Sequence, residues 1–104
     1  YGHAYVPMDE TLTRVVIDFS GRPYLVYRAP ENVEAIGLFP FQLGEEFLRG
    51  FAVNAGVNLH VEVLYGRDAH HMAESVFKGL AKAVDMATQI DPRVDGVPST
   101  KGVL

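Results

Sequence analysis

The chain has 104 residues, no cysteine and a formal net charge of −4 at pH 7, with 48% hydrophobic and 21% charged residues. This length and balance predict one globular domain and exclude general disorder, while the acidic charge argues against binding to a nucleic-acid backbone. The missing cysteines exclude disulfides and thiolate chemistry and fit a reducing compartment such as the cytoplasm, and no apolar run approaches the ~18 residues of a membrane span.

The first half of the chain predicts strands joined by turns. Residues 1–7 resemble the continuation of a longer chain, and we assign no element to them. β-Branched residues and partial alternation predict a strand over Thr11–Phe19, and Tyr24–Arg28 predicts a second one. Because Ser20–Pro23 has the composition of a turn, we expect these two strands to pair as a hairpin. Val33–Leu38 is a candidate for a short third strand.

The pattern in the second half predicts a strand with one helix before it and one helix after it. Helical spacing predicts a helix over 40–55 that ends at Gly56. Strict alternation predicts a strand over 57–65, and a long helix over 69 to about 89 follows with Asp68 as its N-cap. The buried stripe predicted for that helix consists of Ala69, Ala73, Val76, Leu80, Val84 and Ala87. This order of elements indicates an α+β fold with helices covering one face of a sheet.

Residues with chemical potential are concentrated at the start of the long helix. His70, His71, Glu74 and Lys78 fall within roughly 100° around the helix axis. Two imidazoles and a carboxylate suit a divalent metal ion. The adjacent histidines diverge by about 100°, so we expect each to serve a different metal ion or a different subunit. The alternative is an incidental surface pair beside a solvated Glu74–Lys78 ion pair.

The C-terminal segment Pro98–Gly102 is a second candidate. Its hydroxyls, lysine and glycine can hold a phosphate through backbone N–H groups, hydroxyls and an ammonium group. The alternative is a frayed terminus. We expect His60 to be solvent-exposed on the polar side of its strand.

Six motifs occur in one order along the whole chain. They are Asp9-Glu10, Ser20-Gly21-Arg22-Pro23-Tyr24, Asn58-Leu59-His60, His70-His71-x-x-Glu74 with Phe77-Lys78, Asp91-Pro92-Arg93 and Pro98-Ser99-Thr100-Lys101-Gly102-Val103-Leu104. Together they resemble the second half of imidazoleglycerol-phosphate dehydratase, an internally duplicated enzyme of histidine biosynthesis. The resemblance implies that residues 1–104 form a single half-domain equivalent to the second repeat. It also implies a four-stranded sheet with two helices on one face, as in the second domain of ribosomal protein S5.

The resemblance further implies a site with two Mn²⁺ ions shared between chains. His70 and His71 would bind different ions, and Glu74 would be a metal ligand or the catalytic acid/base. Glu46 stands where family members often carry a metal-binding histidine, and a carboxylate also suits Mn²⁺. The residues implied for the substrate phosphate are Arg22, Lys78, Ser99 and Lys101.

The function implied is Mn²⁺-dependent dehydration of imidazole glycerol phosphate to imidazole acetol phosphate, through Lewis-acid and general acid–base catalysis. We expect self-association into a homo-oligomer, because a half that packs on a sister half exposes an apolar face. The candidates for that face are Phe39, Phe41, Phe47 and Phe51. Two alternatives remain open: an assembling half-domain that is inactive without the other repeat, and a small metal-independent binding domain with incidental histidines.

Overall fold

The computed structural model describes residues 1–104 and shows a four-stranded mixed sheet with two helices. The strands are β1 (Gly2–Met8), β2 (Thr11–Asp18), β3 (Tyr24–Arg28) and β4 (Asn58–Tyr65), and the helices are α1 (Leu43–Ala55) and α2 (Ala69–Thr88). Gly56 ends α1 in the left-handed conformation at φ 66°, as predicted. Neither helix is long and apolar enough to cross a membrane.

The sheet has the order β1-β2-β4-β3, and its pairing differs from the prediction. β2 pairs antiparallel with β1 on one side and with β4 on the other. β3 pairs in parallel with β4, so the predicted hairpin between β2 and β3 is wrong. Both edges of β2 are already occupied, and a parallel partner needs a long crossover connection, which contains α1 here.

Two further local predictions are corrected by the structure. Residues 2–8 form the edge strand β1, whose inward side chains alternate with exposed ones. Pro7 weakens the strand pattern in the sequence, but an edge strand tolerates proline because one side of it has no ladder to complete. Val33–Leu38 is not a strand, and only an isolated bridge joins Ile36 to Phe39.

The core lies between one face of the sheet and both helices. A single cluster of buried hydrophobic residues is drawn from the strands, from α1 and from α2. Its members include Val15, Ile17, Leu59, Val61, Val63, Leu48, Ala52, Met72, Val76, Leu80 and Ala83. Because side chains of both helices join one buried cluster with the inward-facing strand residues, the helices cover the same face of the sheet, which confirms the predicted α+β class.

The buried face of α2 is rotated by about 70° from the predicted stripe. Its buried residues are Met72, Ser75, Val76, Gly79, Leu80 and Ala83. Small residues take part because they let the helix come close to the sheet. The Ser75 hydroxyl lies 2.6 Å from the Thr13 hydroxyl of β2, and Gly79 lies against Val15.

Candidate metal and phosphate sites

The start of α2 is tied to the turn between β1 and β2. Asp68 is the N-cap as predicted, and its side chain accepts a hydrogen bond from the His71 backbone N–H at 3.0 Å. The two-residue turn Asp9-Glu10 has Asp9 at φ 47°. Glu10 accepts hydrogen bonds from the backbone N–H groups of Arg67 at 2.9 Å and Asp68 at 2.7 Å. The acidic turn is therefore attached directly to the helix that carries the histidines.

His71 points toward this acidic turn. Its Nδ1 lies 2.8 Å from Glu10 Oε2, and its Nε2 lies 3.6 Å from Asp9 Oδ2. The hydrogen bond to Glu10 raises the pKa of His71 above its ordinary value. The pKa of Glu10 is held well below its usual range, first by the Asp68 amide, then by His71 and the Arg67 amide. The Glu10 carboxylate is therefore ionised at neutral pH.

His70 contacts a different set of side chains, farther along the same side of the helix. Its Nε2 lies 3.0 Å from Glu74 Oε2, and the Lys78 ammonium lies 2.7 Å from Glu74 Oε1. The hydrogen bond from Lys78 lowers the pKa of Glu74. The His70 and His71 rings are 6.2 Å apart with their planes at 76°. The two imidazoles thus diverge, as their adjacency on a helix predicts.

The donor atoms fit a divalent ion in type. The 3.0 Å separation of His70 Nε2 and Glu74 Oε2 matches the roughly 3 Å between neighbouring ligands bound about 2.1 Å from one ion. Histidine and carboxylate together suit Mn²⁺ and similar metals. However, the chain contains no group of three or more His, Asp or Glu side chains arranged to hold one metal ion. Glu46 is exposed on α1 and does not join the others, so the donor chemistry fits while the number of donors in one chain is incomplete.

Two of the predicted phosphate-binding residues line one cavity of about 770 Å³ at the opposite end of the sheet. Arg22 and Ser99 both line it, together with the buried Ser20. The Arg22 backbone N–H donates to Ser20 Oγ at 3.2 Å, and its guanidinium donates to the Ser20 carbonyl. Arg22 takes part in no ion pair. Its charge is therefore available to an anion.

The C-terminal segment folds back onto this cavity. Ser99 Oγ accepts from the Lys101 N–H at 3.2 Å, and the Ser99 carbonyl accepts from the Gly102 N–H at 3.0 Å. Leu104 lies so close to Gly21 that a Cβ there would be 3.0 Å from its backbone. Lys101 is exposed and does not line the cavity.

The cavity and the histidines lie at opposite ends of the molecule. Arg22 follows the C-terminal end of β2, whereas Glu10 precedes its N-terminal end. The eight residues of β2 span about 26 Å. α2 begins at the histidine end, and its last turn reaches the cavity at Met86. Lys78 stays with Glu74, so the structure does not bring it to the other predicted phosphate-binding residues.

Asp9 and Glu10 belong to one of the ordered motifs, but their sequence context alone indicates no role for them. The signal that identifies them is a two-residue acidic turn between two alternating segments, Gly2–Met8 and Thr11–Asp18. That signal depends on recognising β1, which Pro7 obscures.

Comparison with known proteins identifies the family. The family model described as imidazoleglycerol-phosphate dehydratase matches residues 1–84. The chain belongs to the imidazoleglycerol-phosphate dehydratase family. It is 61% identical over 105 residues to imidazoleglycerol-phosphate dehydratase of Methylorubrum populi, covering 100% of this chain and 54% of that protein. It is 60% identical over 106 residues to the protein of the same name from Akkermansia muciniphila, again covering 100% of this chain and 54% of that protein.

Solved structures of imidazoleglycerol-phosphate dehydratase share the fold. The Staphylococcus aureus enzyme matches with a TM-score of 0.84 and 43% identity, over 88% of this chain and 54% of that one. The Pyrococcus furiosus enzyme, solved in complex with (S)-C348, matches with a TM-score of 0.85 and 38% identity, over 99% of this chain and 56% of that one. The chain therefore spans about half the length of its relatives.

Proposed function

We propose that this chain is one half-domain of an imidazoleglycerol-phosphate dehydratase, a hydro-lyase that converts imidazole glycerol phosphate into imidazole acetol phosphate in histidine biosynthesis. The observation that carries the proposal is the position of two incomplete sites at opposite ends of one chain. A small substrate cannot span the roughly 26 Å length of β2. A complete site therefore combines the histidine end of one chain with the phosphate end of another chain or half. The cysteine-free composition fits a cytoplasmic enzyme.

The metal ions in this proposal are Mn²⁺. The residues that would hold them are His70, His71, Glu74 and Glu46, joined by ligands from another chain or half. When bound, the ions supply Lewis-acid stabilisation of negative charge on the imidazole ring of the substrate.

The chain's own residues perform the binding and proton-transfer steps. Dehydration removes a proton from carbon and expels a hydroxyl group, so it needs a group that accepts and donates protons. The hydrogen bond from Lys78 lowers the pKa of Glu74 and so favours the ionised carboxylate, which can accept the proton. Arg22 and Ser99 bind the phosphate from the cavity through a guanidinium and a hydroxyl group, and the exposed Lys101 supplies an ammonium group from outside the cavity lining.

Self-association is part of the proposal because the helices expose apolar side chains away from the sheet. Leu43 and Phe47 of α1 are 48% and 54% exposed, and Phe77 of α2 is 37% exposed. The Phe47 and Phe77 rings contact edge to face at 5.3 Å. Two of the four predicted phenylalanines do not belong to this face: Phe41 is buried and Phe51 packs partly buried against the core.

Mixed oligomers test whether a site combines residues from two chains. We expect Arg22→Ala and Glu74→Ala to abolish turnover singly, and the two chains refolded together to regain it. If equal amounts of the two chains assemble at random, about one quarter of the sites take the histidine end from the Arg22→Ala chain and the phosphate end from the Glu74→Ala chain. Both ends of such a site are intact. The matched control mixes Glu74→Ala with His71→Ala, which damage the same end. No recovery in the first mixture, when the unmodified chain is active, contradicts the shared site.

A second function is favoured by the incomplete ligand set of the single chain. In that case the half-domain folds and assembles but lacks turnover without the other repeat. Metal analysis combined with a dehydratase assay separates the two: bound Mn²⁺ without product favours the structural role.

A further inference from the structure

We propose that Glu10 is a positioning residue that fixes the tautomer of His71 and so leaves Nε2 as the nitrogen free to bind a metal ion. The inference rests on the proposed function in one respect, that His71 is a metal ligand. It concerns a residue that contacts the histidine and would not itself contact the metal or the substrate.

The two oxygens of Glu10 have different partners. Oε1 accepts from the backbone N–H groups of Arg67 at 2.9 Å and Asp68 at 2.7 Å, and from the Thr11 hydroxyl at 3.0 Å. Oε2 faces His71 Nδ1 at 2.8 Å. The first oxygen therefore attaches the turn to the helix, and the second addresses the imidazole. The side chain is only 24% exposed, so its orientation is determined by these contacts.

This arrangement determines which nitrogen carries the proton. An ionised carboxylate only accepts hydrogen bonds, so Nδ1 must be the donor. In the neutral imidazole, Nε2 is then unprotonated and has a free lone pair. A carboxylate that holds the far nitrogen of a ligating histidine also fixes the ring orientation and raises its basicity.

His70 provides an internal comparison. Its side chain is 65% exposed, and its only side-chain hydrogen bond is between Nε2 and Glu74. No carboxylate holds its Nδ1. The two neighbouring histidines therefore differ: Glu10 holds His71 at Nδ1 before any metal binds, whereas His70 is held only at Nε2.

The variant Glu10→Gln separates positioning from folding, because it keeps the shape of the side chain. Two backbone N–H groups compete for the single amide oxygen, so that oxygen keeps the place of Oε1. The amide NH₂ then faces His71 Nδ1 and donates to it. The opposite orientation would direct the amide NH₂, which cannot accept a hydrogen bond, at the backbone N–H groups of Arg67 and Asp68. We therefore expect the variant to fold and to carry the His71 proton on Nε2.

The first measurement is magic-angle-spinning NMR of metal-free, ¹⁵N-histidine-labelled protein, at a pH where His71 is neutral. This method reads the tautomer whatever the size of the assembly, and His71→Ala assigns the signals. We expect Nδ1–H in the unmodified chain and Nε2–H in Glu10→Gln. The second measurement is Mn²⁺ affinity, which we expect to fall about 10- to 100-fold in Glu10→Gln.

Glu62→Gln is the matched control. Glu62 is also a part-buried, ion-paired carboxylate, held 2.6 Å from Arg14 on the uncovered face of the sheet. We expect it to leave the His71 tautomer and the Mn²⁺ affinity unchanged.

Several outcomes would overturn the proposal. An Nε2–H tautomer in the unmodified chain does so even if Glu10→Gln fails to fold. Unchanged Mn²⁺ affinity in a folded Glu10→Gln variant would also overturn the proposal. The proposal is likewise overturned if the unmodified chain binds no Mn²⁺. Failure of the proposed function is a different result: the tautomers and Mn²⁺ affinities follow expectation, but the assembled chain produces no imidazole acetol phosphate.

Discussion

Gly79 shows how one residue determines the distance between α2 and the sheet. In the sequence, a glycine inside a helix costs about 1 kcal/mol relative to alanine. In the structure, a Cβ at this position would lie 2.7 Å from Val15 Cγ2, and Val15 is fully buried. The backbone of α2 can approach β2 closely only because this side chain is absent.

We therefore predict that Gly79→Ala destabilises the protein despite its better helix propensity. The added methyl group forces the buried Val15 or the helix to shift, which costs about 1–3 kcal/mol of unfolding free energy. The matched control is Gly50→Ala in α1, where a Cβ meets no atom within 4 Å. There we expect a gain of about 0.5–1 kcal/mol. Urea titrations measure the unfolding free energy of both variants. Equal changes in the same direction would contradict the prediction.

At the histidine end of the chain, one feature has a local cause and another depends on residues distant in the sequence. The divergence of His70 and His71 follows from the helical angle per residue and could be predicted. The contact of His71 with Glu10 joins residues 61 positions apart. It could not be predicted from spacing, because it depends on how the β1–β2 turn meets α2.

At the scale of elements, β3 illustrates why local strength of a pattern does not determine pairing. Its pattern predicted a strand correctly, but its partner is β4 rather than the preceding β2. The parallel arrangement places Tyr27 opposite Val61, on the side of the sheet that α1 covers. Burial, and secondarily the charge of Glu45 in α1, raise the pKa of Tyr27 to about 12.

This pKa predicts a loss of stability in alkali. An unfolded tyrosine loses its proton near pH 10, whereas folded Tyr27 keeps it until about pH 12. Between these values the unfolded chain binds fewer protons, so the free energy of unfolding falls as pH rises. We expect Tyr27→Phe to show a smaller fall in urea midpoint between about pH 9 and about pH 11. Equal falls in both proteins would show that Tyr27 does not contribute.

At the scale of the whole molecule, the two helices cover one face of the sheet, while their own outer side is exposed to solvent. The exposed Phe47–Phe77 pair lies where the two helices meet. Burying apolar surface contributes about 25 cal/mol per Å². This favours a contact in which a second copy or half covers the Phe47–Phe77 pair.

We predict that Phe47→Glu weakens assembly without unfolding the chain, because it places a charge in the proposed interface. The control is Val53→Glu, since Val53 is also exposed on α1, at 61%, but lies about 120° around the helix from Phe47. Light scattering measures the mass, and circular dichroism confirms the fold. If the unmodified chain is an 11.4 kDa monomer, or if both variants assemble equally, the proposed interface is wrong.

The sequence by itself determined the elements whose signals are local. These are β2, β3, β4 and both helices, with the Asp68 and Gly56 caps, because periodicity and capping involve residues within about four positions. The ordered motifs also identified the family.

Only the tertiary structure decided the partner of β3, the face of α2 that is buried, and the separation of the histidines from the cavity at Arg22 and Ser99. The physical reason is that these features depend on which distant surfaces fit together. The proposed metal ligands and the proposed phosphate-binding residues occur on one short chain of 104 residues. The fold places the histidines and Arg22 near opposite ends of β2, so one chain holds two candidate partial sites.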